Sequence, residues 1–137
     1  MMDNPAPLPP EQLRQIGVLN LAHAGDAVYE LLVRTHVIAA HAAMKLGDQH
    51  RATTAYVSAP AQAAAMRALL PALTAEEHAV CRRGRNARVH GCPPGCTIAE
   101  YHAATALEAL FGWLWLSGQT RRIEELFSVI TGEDHAS

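Results

Sequence analysis

The chain reads as an all-α single domain, and three observations carry that expectation. Half of its 137 residues are hydrophobic but only 5% are aromatic. Ala makes up much of the difference and β-branched runs are scarce, a mixture that suits helices packed closely on small side chains. Two Thr-x-x-Glu capping boxes, Thr74 with Glu77 and Thr97 with Glu100, mark helix starts by placing a hydroxyl and a carboxylate on each other's backbone amides.

The elements follow in order. Residues 1–10, MMDNPAPLPP, lack the basic-then-apolar order of a signal peptide and are expected to be a disordered lead-in to one domain over residues 11–132. A first helix begins after Pro10, with Leu13, Ile16 and Leu19 at helical spacing. A second is expected over residues 26–40. Its apolar members, Val28, Leu31, Leu32, Val33, Val37 and Ile38, do not keep to one narrow face, so most of its surface must be covered. In so small a domain that points to a partner subunit. Gly47 and Asp48 open a third segment. Ser58, followed by Pro60, starts a helix towards Leu70 that Pro71 stops. The Thr74 box begins a helix reaching the arginines at 82–85. The Thr97 box begins a long helix that ends at Gly118, a residue suited to the left-handed position after a helix. Between them RNARVHGCPPGCT is an irregular polar loop. A last helix covers residues 121–130, and residues 133–137 are expected to be a disordered tail.

No run approaches the roughly 20 apolar residues of a membrane span. With no signal peptide either, the expected location is the cytoplasm. The formal net charge of −2 argues against a nucleic-acid partner only as an average. Residues 45–88 hold seven Lys/Arg against three acids, a balance of +4, and the remainder carries −6. A basic face on an acidic protein is therefore available.

Two acids stand where core is being built. LNLAHAGDAVYELLVR sets Asp26 inside an apolar run, and TALEALFGWLWL does the same with Glu108. Burying a lone charge is costly, so each carboxylate needs a partner. Ala104, Leu107, Phe111, Leu114 and Trp115 surround Glu108 at helical spacing, and Gly112 one turn later would admit another backbone. Facing one another across a helix pair, the two carboxylates would repel, and one would keep a proton. A divalent cation between them satisfies both; oxygen ligands of this kind suit Mg²⁺ and can activate a water for attack on phosphate. Two plainer readings stand beside that one. The helix dipole alone favours Asp in a first helical turn, and Glu108 can pair with a core Arg.

These segments resemble the signature of the ribonuclease III family. AGDAVYELLVR is similar to its Gly-Asp-Ala helix, HRATTAYVSAPAQAAA to its next segment and TALEALFGWLWL to its last catalytic helix. RRGRNA, residues 82–87, resembles a stretch of the short bacterial branch, mini-ribonuclease III, which has no double-stranded-RNA-binding domain after the catalytic one. The likeness spans about residues 16–130. It implies a helical ribonuclease III catalytic domain that forms a homodimer through its signature helices, with double-stranded RNA across the groove. It implies an endonuclease that uses Mg²⁺, with Mn²⁺ able to substitute, and leaves a 5′-phosphate and a 3′-hydroxyl. Its implied substrate is the precursor of large-subunit (23S) ribosomal RNA, with a ribosomal protein as a helper in gripping it. Asp26 and Glu108 correspond to catalytic metal ligands. Glu30, on the signature helix, is expected either to support those ligands from outside or to face the dimer partner, and Tyr101, seven residues before Glu108, either to orient a water or to pack. Two acidic positions of the full-length enzyme are Ala22 and Thr105 here, losses the mini branch shares.

Arg82, Arg83, Arg85 and Arg88, with Asn86, are the candidate RNA contacts, since guanidinium groups fork onto phosphate oxygens. Alternatively they complement the helix dipole and pair with Glu76 or Glu77. A similar loop in the mini branch carries a Lys where Pro94 stands. His50 and Arg51 could touch RNA or pack against the signature helix. Cys81, His90, Cys92 and Cys96 make four potential zinc ligands within sixteen residues, against which a buried Cys81 would be a small apolar side chain. Two other functions remain open: a non-catalytic RNA-binding or ribosome-assembly factor on the same fold, and a helical protein-interaction module.

Overall fold

A computed structural model describes residues 1–89 and 91–132. It is all-helical: α1 Pro10–Arg14, α2 Val18–Ala40, α3 Leu46–Val57, α4 Ala59–Leu69, α5 Ala75–Arg85, α6 Ile98–Leu116 and α7 Thr120–Thr131, with a 3₁₀ turn at Leu70–Ala72 after α4. The expected tail at 133–137 lies outside the described residues.

Helix α6 is the centre of the molecule. It packs against α2, α4 and α5, and α7 closes the remaining side. This is why its sequence is apolar nearly all round: Ala104 to Leu107 and Ala109 to Gly112 are all buried, as is Leu114. The main core joins Leu107, Leu110, Phe111 and Leu114 of α6 to Tyr29, Val33 and Val37 of α2, Leu69 of α4, and Ile123 and Leu126 of α7. A smaller cluster of Leu21, Ala22, Val80 and Ala109 ties α2, α5 and α6 together.

Both capping boxes form, with Thr74 and Thr97 accepting from the Glu77 and Glu100 amides and the carboxylates returning the bond. Ser58 accepts from the Ala61 amide as expected for a cap, and Gly118 takes a φ of 77° just beyond α6. The second helix differs from the expectation. It starts at Val18, eight residues earlier, and runs through Gly25 and Asp26 without a break. Leu19 belongs to it, and the first helix is only one short turn. Gly25 looks like a helix breaker in sequence, but here it is a packing residue. Asp26 is therefore mid-helix, and a favourable dipole in a first turn does not account for it.

The outward face of α2 is apolar too. Leu31 and Ile38 are 56% and 52% exposed, and Ala24, Ala27, Leu31 and Leu32 line an open groove of about 850 Å³. Residues 1–9 run beside α6, where the Leu8 amide donates to the Leu116 carbonyl at 2.8 Å and Asn4 Nδ2 to the Trp115 carbonyl at 3.0 Å. Among the described residues no helix is long and apolar enough to cross a membrane.

Candidate active site

Two glycines position the site. An added Cβ on Gly25 would lie 1.6 Å from the Glu108 carbonyl oxygen, and one on Gly112 would lie 1.8 Å from that of Leu21. Helices α2 and α6 thus cross with their backbones in contact, a separation open only to residues without a side chain. The residue after Gly25 is Asp26, and the residue whose carbonyl fills the Gly25 notch is Glu108. The crossing therefore brings the two carboxyl groups within hydrogen-bonding reach of each other.

Electrostatics follow from that contact. Burial first, then the hydrogen bond and charge of Asp26, push the Glu108 carboxyl up to about 8. At neutral pH the pair by itself holds a proton between two groups that would otherwise both be anions. Asp26 is exposed and Glu108 half-buried, so the pair opens to solvent on one side. Carboxylate oxygens are hard acceptors, and a pair of them strained by mutual repulsion suits a divalent cation. Among the described residues no Arg pairs with Glu108; the guanidinium that meets a buried acid is elsewhere. Arg122 of α7 makes a two-pronged bond to Glu77, both arms 2.8 Å, and also reaches the Ala72 carbonyl at 2.7 Å. Glu77 is thus held by Arg122 rather than by the arginines of its own helix. Those bonds, outweighing burial, keep its carboxyl below the usual range.

The other sequence candidates fall in different places. Glu30, one turn beyond Asp26, bonds Arg34 at 2.8 Å. Tyr101 is half-buried, and its carbonyl accepts from the Thr105 hydroxyl at 3.0 Å. Ala22, buried, and Thr105, buried, occupy the two positions without acids. Arg82, Arg83, Arg85 and Arg88 are all exposed, as is Asn86, which ends α5 with its amide on the Arg82 carbonyl. Arg83 also donates to the Ile16 carbonyl at 3.2 Å. A Cβ on Gly84, in the midst of these arginines, would lie 2.7 Å from the Ala106 Cα, so α5 presses its basic end onto α6 two residues from Glu108. Arg51 pairs with Asp48, and His50 is exposed.

The zinc ligands do not assemble among the described residues, where no group of three His, Cys, Asp or Glu could hold a metal ion. Cys81 is 2% exposed in the core, and burial pushes its thiol up to about 12. His90 lies outside the described residues.

The ribonuclease III domain matches residues 19–119, which include both carboxylates and both crossing glycines. The chain belongs to the ribonuclease III family. Within this family its relatives are of the mini-ribonuclease III kind. It is 46% identical to the Mini-ribonuclease 3 of Symbiobacterium thermophilum over 90% of this chain and 88% of that one. It is 44% identical to that of Brevibacillus brevis over 84% and 88%. A crystal structure of a protein from Fusobacterium nucleatum superposes with a TM-score of 0.80 at 27% identity, covering 87% of this chain and 96% of the other. A ribonuclease III-family endoribonuclease therefore stands on an all-helical domain in which α2 supplies the Gly-Asp segment and α6 the late Glu.

Proposed function

We propose that this ribonuclease III-family chain is a Mg²⁺-dependent endoribonuclease that cleaves double-stranded RNA as a homodimer. The observation that carries this reading is the contact of Asp26 with Glu108 at the α2–α6 crossing. Two carboxyl groups are pressed together, one is forced to retain a proton, and the site is open to solvent. These two side chains would hold a divalent cation in place of that proton. When bound there, a divalent ion supplies Lewis-acid polarisation to a phosphodiester and lowers the pKa of water. The chain's own part is to fix the two oxygen donors on rigid helices, with α5 bringing the arginines of residues 82–88 and Asn86 alongside for phosphate oxygens. Products would carry a 5′-phosphate and a 3′-hydroxyl.

The outer face of α2 supports the homodimer. Ala24, Ala27, Leu31 and Thr35 are small or apolar residues along an exposed groove, and a second copy would cover them. Two sites would then face one duplex, one for each strand. With Ala22 and Thr105 in place of acids, the donor set of each subunit rests on Asp26 and Glu108. Glu30 and Tyr101, each on a helix that carries one of the two carboxylates, would support the cation site from outside rather than ligate. The substrate we assign is the precursor of large-subunit ribosomal RNA in the cytoplasm, with a ribosomal protein supplying grip.

The test is cleavage of a long RNA duplex with Mg²⁺, beside Asp26→Asn and an EDTA control. Staggered cuts by the wild type alone support the reading. A wild type that binds the duplex and leaves it whole, with or without ribosomal protein, would make it a non-catalytic RNA-binding factor.

A further inference from the structure

One cluster of nucleophilic side chains plays no part in the carboxylate site. Between α5 and α6 the chain reads Cys92-Pro93-Pro94-Gly95-Cys96, and Gly95, at a φ of 93°, turns it back on itself. Both thiols are folded into that turn. Cys92 Sγ donates to the Cys96 carbonyl at 3.7 Å, and Cys96 Sγ donates to the Pro93 carbonyl at 3.5 Å. The sulfurs are also near enough to hydrogen-bond each other; partial burial and this neighbour hold the Cys96 thiol above its ordinary range. Two prolines restrict the backbone to few alternatives, so closing this small ring costs little further order. Both cysteines are half-buried and within reach of a small reagent, whereas Cys81 is sealed in the core. Disulfide formation needs two sulfurs that can meet over a short span, and this turn holds them beside each other.

We propose that Cys92 and Cys96 are a thiol–disulfide modification site, converted by a low-molecular-weight disulfide into an intramolecular bond while Cys81 stays a thiol. The thiolate of one cysteine attacks a sulfur of the small disulfide, forming a mixed disulfide and releasing one small thiol. The thiolate of the other cysteine attacks the protein-bound sulfur, forming the Cys92–Cys96 bond and releasing the second small thiol. Two protein thiols are oxidised, one small disulfide is reduced, and the two protons leave with the released thiols. The ring would stand just before Thr97, the residue that caps α6.

The experiment holds the full-length folded protein in glutathione buffers of stepped ratio, quenches with acid, alkylates, and maps the cysteines by mass spectrometry. The expected product has lost two hydrogens and carries one internal disulfide within the peptide spanning residues 92–96, with no bound glutathione. It returns to three thiols on reduction. Cys81 in the native protein labels at least about tenfold more slowly than either loop cysteine, as burial and a raised pKa require. Cys92→Ser should instead accumulate glutathione on Cys96, and Cys96→Ser should accumulate it on Cys92. Glutathione adducts persisting on the wild-type loop, a bond to Cys81, a bond between two chains, or three free thiols at the most oxidising ratio would each overturn the proposal.

Discussion

Gly25 and Gly112 occupy each other's missing side-chain space. A Cβ on either would come within 2.9 Å of the other's backbone nitrogen, besides striking a carbonyl of the opposite helix. The crossing has no slack, and both candidate carboxylates depend on it.

Gly25→Ala and Gly112→Ala should therefore each lower stability by about 3 kcal/mol or more, since the obstruction is backbone rather than a side chain that can swing away. Urea midpoints measure this. A loss below about 1 kcal/mol at both sites would mean that the helices separate freely and the close crossing is not required.

Glu108 ties stability to pH in the absence of cation. Its carboxyl titrates near 8 in the folded chain against 4.5 as its reference value. The folded state then binds more protons across that window, so apo-protein stability falls as pH rises from about 4.5 towards 8. Glu108→Gln should flatten this dependence. Adding Mg²⁺ at neutral pH should release a proton, visible by calorimetry in buffers of different ionisation enthalpy. A stability curve equally flat in wild type and variant would sink the assignment. In cleavage, loss of Glu108 should cost about a hundredfold or more, equivalent to about 3 kcal/mol.

Glu77 behaves oppositely. Arg122 lowers its pKa, so its contribution is present above the unfolded value and is lost as pH falls through the lower folded value. Glu77→Gln should cost about 2 kcal/mol near neutrality, less than a fully buried pair because Arg122 is a quarter exposed. It should also weaken the acid dependence of unfolding. An unchanged acid midpoint would count against the pair.

The arginines make a prediction about salt. If Arg85 and Arg88 each touch one phosphate, replacing either with Ala should reduce the slope of log affinity against log salt by about 1 for duplex RNA, whatever its sequence. An unaltered slope assigns that arginine to the helix end alone. Arg83 should also lose stability, because it bonds the Ile16 carbonyl.

Leu31→Glu addresses the proposed dimer. It puts a charge on the exposed apolar face of α2 without touching the core. Sedimentation should turn from dimer to monomer, with helical content retained. A dimer that survives this change uses another face.

How much of this was legible in the sequence depends on how far apart the partners lie. Thr74 with Glu77 and Thr97 with Glu100 are local pairs, and both boxes form where read. Glu108 and Gly112 stand out because an acid and a glycine interrupt an otherwise apolar helix. The start of α2 was hidden: Gly17 precedes it with no capping side chain, while Gly25 offered a false boundary. The pairing of Glu77 with Arg122 joins α5 to α7, and no spacing rule reaches across that distance. The nine residues before α1 showed no period, yet Leu8 bonds the end of α6 through its backbone, which leaves no mark on side-chain pattern.

The central place of α6 also bears on the order of synthesis. Chains emerge from the ribosome N-terminus first. Helices α2, α4 and α5 are all made before the helix that each must pack against. Until α6 has emerged, Asp26 belongs to an unfinished piece with its apolar faces uncovered, and the partner carboxylate does not yet exist. On the proposed site, a nascent chain holds half a cation site through most of its translation. Its competence to cut RNA would arrive late and all at once.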